Sequence, residues 1–399
     1  LVVTFTKSAA GEMKERLIKG LEEVEPKDDF IKEQLLLVAS SSISTLHSFC
    51  AKLLKTYFYA IGLDPSFILI DEIEANALKA KALARLIDSR FVLKDDMFFE
   101  LLDIFSINRK EDNFKAIILQ VYDYMLTETR GEQWFNSCLK ESYNSNINTN
   151  VCAKLVSSYI ADKVEGLKLG ADALLQELNT VGAEKLIEVV NSIYVNLLKI
   201  KKSGSFLDNL KGLKMFEKVK DMPRKLPEEQ AYLKAKVKVF KDKYTEIKAL
   251  AEKELDEDYV ENFAEKTNKN KQRIKALYDY ALMFKNIYQE LKREKVALDF
   301  ADLEEYTLKL LEIQDIRESV QDKYKYVFID EYQDTNMVQE EIVKRITRKN
   351  NLFMVGDVKQ SIYKFRASEP EIFVGKYKQY LSGLDDYSMA INLNHNFRS

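Results

Sequence analysis

Cysteine, histidine, proline and tryptophan are scarce: the 399 residues include three Cys, two His, five Pro and one Trp. Cys50, Cys138 and Cys152 are odd in number and widely spaced, so they form no disulfide framework, and two histidines cannot complete a zinc-ligand pattern with them. A reducing compartment fits. Only twelve glycines are present, which excludes collagen-like and low-complexity chains. No apolar run approaches the ~18 residues of a membrane span, and no basic-then-apolar leader precedes the first strand. The expectation is a cytoplasmic protein with no membrane partner.

What remains has globular character, with 46% hydrophobic and 31% charged residues. At ~100–200 residues per domain the length allows two or three domains and a large core. The net charge of −3 hides a local excess: between Lys199 and Lys248 fourteen Lys and Arg224 stand against seven Asp and Glu, a balance of +8. Lys234, Lys236, Lys238, Lys241 and Lys243 are dense enough to meet phosphates, although a solvated helix face paired with Glu228, Glu229 and Asp242 has the same composition.

The chain opens on Leu1-Val2-Val3-Thr4-Phe5-Thr6, a β-branched and aromatic run with the character of a buried strand, and ends on Asn396-Phe397-Arg398-Ser399. Both ends read as those of a fragment of a longer protein. After the first run, Ser8 is placed to cap a helix with apolar positions Ala9, Ala10, Met13, Leu17 and Ile18. Ser42–Leu46 reads as a second strand, followed by a helix from about His47 to Tyr59. From about residue 71 to 295 the texture is helical, rich in Ala, Leu, Lys and Glu at a spacing near 3.6, with breaks at Glu141–Asn150, Lys202–Ser205 and Asp221–Pro227. Strand texture returns at Tyr324–Ile329, Asn351–Val355 and Met389–Leu393 with helical segments between, so a parallel α/β sheet interrupted by a helical insertion is predicted.

Asp330-Glu331 follows one of these strands, at the carboxyl end where open α/β sheets place ligands. An Asp there can hold magnesium and an adjacent Glu can deprotonate an attacking water. Alone, such a pair at a strand end is usually a solvated turn or a helix cap. It runs on as Asp330-Glu331-Tyr332-Gln333-Asp334-Thr335-Asn336, and the next strand ends in Gly356-Asp357-Val358-Lys359-Gln360-Ser361-Ile362-Tyr363-Lys364-Phe365-Arg366.

These two segments resemble motifs II and III of the UvrD/Rep-type DNA helicase family, in the form of its AddA-type helicase–nuclease members. Thr4–Met13 resembles motif Ia, Ser44–Phe49 the next DNA-contact motif, Leu298–Leu303 the segment before motif II, and Asn396–Ser399 motif IV. Close likeness covers roughly residues 1–70 and 290–399. The resemblance implies a RecA-like P-loop NTPase sheet with helices on both faces and a large all-α insertion. Residues 1–70 and 296–399 would form two parts of one motor domain, with 71–295 as the insertion.

It also implies roles. Asp330 would be the magnesium carboxylate and Glu331 the catalytic base, itself near the metal; Gln360 would sense the γ-phosphate of ATP, and Arg398 would neutralise charge developing there. Phe5, Tyr363 and Phe365 would stack on bases of single-stranded DNA, with Thr6, Lys7, His47 and Arg366 contacting nucleotides. Phe5 also fits core packing, His47 an ordinary helix position, and Gln360 and Arg398 plain surface groups. Lys7 stands where the family often has Asn, and Phe365 where many members have Trp. The sequence contains no Gly-x-x-x-x-Gly-Lys-Ser/Thr loop; its sole Gly-Lys pair is Gly375-Lys376. The expectation is therefore part of an ATP- and magnesium-dependent helicase acting on single- and double-stranded DNA, with a nuclease and an AddB-like partner in the whole protein. Two alternatives stay open: a UvrD/Rep-type helicase without nuclease, and a non-catalytic DNA-binding relic.

Overall fold

The computed structural model describes residues 1–24, 29–38, 40–106, 111–254, 261–361, 369–383 and 388–393. Strands β1 (Val2–Thr4), β2 (Ile43–Thr45), β3 (Ile68–Leu69), β4 (Ala297–Leu298), β5 (Val327–Ile329) and β6 (Leu352–Met354) are joined by helices, which make up most of the chain. Four strands form one sheet in the order β2-β1-β5-β6, every neighbouring pair parallel, and β3 pairs with β4 in a separate parallel ribbon. The protein is thus a mostly helical α/β structure with a parallel sheet.

By packing, the chain forms two compact units, Leu1–Gly131 with Leu277–Ser399, and Glu132–Ala276. In the first, Val3, Val327 and Ile329 on the strands are buried with Phe49, Leu53 and Leu54 of the helix Leu46–Tyr57 and with Leu303 and Ile342 of later helices. Burial of such β-branched and aliphatic groups on one sheet face holds the short strands in register. Helix Lys7–Glu22 lies against β1 and β2. On β5 and β6, Phe328 and Phe353 pair rings at 5.7 Å yet remain 41% and 51% exposed. Among the described residues these two rings form a partly open patch on β5 and β6.

Helices Glu72–Leu93, Asp96–Phe105 and Asp112–Thr127 belong to the same unit. There the edges of Phe98, Phe114, Tyr122 and Tyr280 meet neighbouring rings, and Phe284 stacks on Tyr288. The second unit has its own core, in which helices Val151–Thr180, Glu184–Leu197 and Ala231–Glu254 bury Val164, Leu178, Ile193, Leu197, Leu233 and Val237.

Two local expectations are corrected. Thr6, not Ser8, caps the first helix: its extended backbone (φ −120°, ψ 153°) lets Oγ1 accept the Ala9 N–H at 3.1 Å, whereas Ser8 already lies in the first turn. Residues 389–393 form no strand. Met389, Ile391 and Leu393 are 74%, 62% and 85% exposed, and no described strand lies alongside to take up their backbone groups.

Candidate functional site at the strand ends

Parallel pairing sets Thr4 beside Thr45, Val3 beside Ile329, and Ile329 beside Met354. Everything that follows these residues therefore emerges at one edge of the sheet: Phe5-Thr6-Lys7 after β1, Leu46-His47 after β2, Asp330-Glu331 after β5 and Gly356-Asp357 after β6. Backbone bonds continue the ladder one step further, from Asp330 N–H to Val3 O at 3.0 Å and from Val355 N–H to Ile329 O at 2.9 Å. The topology thus brings together four sequence segments that lie up to several hundred residues apart.

Asp330 is half-buried and Glu331 exposed. Glu331 adopts φ 51° and ψ 43°, a left-handed conformation uncommon for a residue with a side chain, and a short 3-10 turn, Tyr332–Asp334, follows it. Gln333 is buried at 1% exposure; its Nε2 donates to Glu331 Oε2 at 2.8 Å, and its Oε1 accepts the Asp357 N–H at 3.0 Å. A Cβ on Gly356 would stand 2.6 Å from that same Oε1, so a side chain cannot be added there without moving the amide. Asp357 accepts the Lys359 N–H at 3.0 Å and Gln360 Nε2 at 2.9 Å, and these bonds hold its carboxyl below the usual range. Asp334 is pushed upward, by burial first and also by the charge of Glu331, while Ser361 Oγ donating at 3.3 Å works against the rise.

Behind this edge the Tyr332 hydroxyl donates to Glu340, whose other oxygen is 3.0 Å from Lys376 Nζ. Burial and the Glu340 charge keep the Tyr332 phenol protonated. The pairing ties the turn after β5 to helix Pro370–Leu381.

Of the residues expected to meet DNA, Phe5 is half-buried, Lys7 is exposed, and the Thr6 hydroxyl is occupied as the helix cap. His47 is engaged within the fold: Nε2 lies 3.1 Å from Glu304 Oε1, and the ring meets the Phe300 edge at 5.0 Å. It borders a cavity of about 830 Å³ lined by eight Asp and Glu against three Lys. Tyr363, Phe365, Arg366 and Arg398 lie outside the described residues. Gln333, Gly356 and Asp357 received no role from sequence although they lie in the quoted segments. Glu340 and Lys376 carried no local signal, since their partnership exists only through folding.

Among the described residues no cluster of three or more His, Cys, Asp or Glu could hold a metal by itself. Two hard carboxylates at a strand end, open to solvent on the Glu331 side, suit a magnesium ion that takes its other ligands from phosphate and water.

The molecule is an α/β protein whose acidic and amide groups gather at the carboxyl ends of parallel strands, the place where open α/β sheets generally put their ligands. Residues 1–381 match the UvrD/REP helicase N-terminal domain, and the chain belongs to that family. Proteins named as subunits of an ATP-dependent helicase/nuclease from Syntrophomonas wolfei, Listeria monocytogenes and Clostridioides difficile are 34%, 31% and 31% identical to it. Each alignment takes in 100% of this chain and 33%, 34% and 33% of the respective relative, so the chain spans about a third of their length. The match includes the helical block, well beyond the end segments that carry the motifs.

Proposed function

We propose that the chain is the first motor domain of an ATP-dependent DNA helicase–nuclease of the AddA type. In this reading 1–70 and 296–399 form one RecA-like domain and 71–295 its helical insertion. The whole protein translocates along single-stranded DNA, unwinds duplex and processes double-strand breaks for recombinational repair, in the cytoplasm and with an AddB-like partner. No described helix is long and apolar enough to cross a membrane.

The observation that carries this reading is the meeting of Asp330-Glu331 with Gly356–Gln360 at one sheet edge, in a chain matching the UvrD/REP domain over residues 1–381. Asp330, with Glu331 beside it, would hold magnesium, which when bound neutralises phosphate charge. Glu331 orients and deprotonates the attacking water, Gln360 donates to the γ-phosphate, and Arg398 neutralises charge developing there. Phe5, Tyr363 and Phe365 stack on bases while Thr6, Lys7 and Arg366 follow the strand. His47, at the border of the cavity and beside Glu304, contacts a nucleotide. Lacking a Gly-x-x-x-x-Gly-Lys-Ser/Thr loop, the 399 residues alone neither hold ATP tightly nor unwind DNA.

The test is Glu331→Gln in the full-length protein. ATP hydrolysis and unwinding fall by about 100-fold or more while single-strand binding persists. Retained hydrolysis would remove Glu331 from the chemistry.

A further inference from the structure

Gln333 spans the gap between two strand ends. Because Oε1 accepts the Asp357 N–H, the orientation of the amide is set and both of its N–H groups face carboxylates, Glu331 Oε2 at 2.8 Å and Asp334 Oδ2 at 3.3 Å. From Asp357 the line continues, since its carboxylate accepts Gln360 Nε2 at 2.9 Å. A continuous series of hydrogen bonds thus runs from Glu331 through Gln333 and Asp357 to Gln360. The left-handed backbone at Glu331 needs such support, because a strained conformation persists only where its surroundings over-determine it. Gly356 fits the same account: any Cβ there would strike the amide.

We propose that Gln333 is a positioning residue that fixes the Glu331 carboxylate and couples it to Gln360, so that the water-activating group and the phosphate-sensing group move as one unit. The inference rests on the roles of Glu331 and Gln360 given above. Gln333 touches neither substrate nor reacting atoms. It acts through Glu331 on one side and the Asp357 backbone on the other, and any shift of the loop after β6 reaches Glu331 through this buried amide.

The experiment uses the full-length protein with three variants: Gln333→Leu, Gln333→Glu, which keeps the shape but loses both donors, and Gly356→Ala, which displaces the amide without altering it. The expected result is a fall in kcat for ATP of about 10- to 100-fold with KM changed by less than about threefold. In nucleotide-free protein, hydrogen exchange of the peptide covering residues 356–361 rises by about tenfold in Gln333→Leu, because the Asp357 N–H loses its acceptor. Adding Gln360→Ala to Gln333→Leu costs little beyond the worse single change, as expected for groups acting as a unit. Wild-type kcat in both Gln333→Glu and Gly356→Ala, unchanged exchange, or fully additive losses would each overturn the proposal. Should Gln333→Leu fail to fold, the other two variants decide. Glu331→Gln run in parallel separates the two ideas: if it keeps hydrolysing ATP the base assignment fails, whereas if it is dead and the Gln333 and Gly356 variants are normal, only the positioning role fails.

Discussion

Lys292 is 2% exposed, and its ammonium reaches Asp299 Oδ2 at 3.1 Å and Asp302 Oδ2 at 2.5 Å while lying 4.1 Å from the Tyr288 ring centroid. The Tyr288 hydroxyl donates to Asp299 Oδ2 at 2.9 Å. One buried cation thus serves two buried carboxylates, and they respond unequally. Burial raises Asp299, but the Lys292 charge and the surrounding donors outweigh it and hold it low; Asp302 is pushed up to about 6, by burial first and by Asp299 second. Between pH 3.8 and about 6 the folded chain retains at Asp302 a proton that the unfolded chain has released, so this group's contribution to stability falls as pH rises through that window. Urea unfolding of wild type and Asp302→Asn across pH 4–7 is expected to show the stability of the wild type falling relative to that of the variant as pH rises. Replacing Lys292 with Met strands both carboxylates and is expected to destabilise the first unit by about 3–5 kcal/mol in the same assay. The sequence displays Asp299 and Asp302 plainly, since their spacing is that of a capping box, which the structure contains. It does not display Lys292, which reaches them from the preceding helix.

Helix ends show the same division. The Asn-rich segment read as a break is a built loop: Asn144 and Asn146 side chains accept backbone N–H groups two residues on, at 2.9 and 3.0 Å. Asn150, 2% exposed, accepts the Ala153 N–H at 3.1 Å to cap the helix Val151–Thr180 and donates to Ser142 O at 2.9 Å and Asn144 O at 2.8 Å. Asn150→Ala is expected to cost about 2–3 kcal/mol, a lost cap plus carbonyls left without a partner, as read by chemical denaturation. Asn150→Ser keeps the cap and should recover part of that loss. Composition and periodicity make the break and the following helix legible. That one asparagine serves both depends on the loop folding back on itself. At the strand ends, Thr6 and Thr45 cap the helices after β1 and β2 by the same local rule, visible once each helix start is known.

At the scale of the whole molecule, the positive excess between Lys199 and Lys248 is reduced by the fold. Lys236 pairs with Glu177 at 2.7 Å and Lys220 with Glu188 at 2.9 Å, both acids lying outside that window, while Lys199 pairs with Glu217. Among the described residues Lys238 and Lys243 have no ion pair. If this face meets duplex phosphates in the full-length protein, changing these two to Gln lowers the salt slope of binding by about 0.9 for each, while Lys236→Gln changes it less. Equal slopes in all three would mark the helix as a solvated face. Hydrophobic spacing, strand-like runs and the order of short motifs were enough to establish the alternation of sheet and helix and the family, because each is written in consecutive residues. Only the tertiary structure decided that Gln333 bridges Glu331 to Asp357, that His47 lies against Glu304, and that 389–393 stays out of the sheet. Those outcomes depend on which groups meet across long loops and which backbone finds a neighbour, and distance in space has no counterpart in distance along the chain.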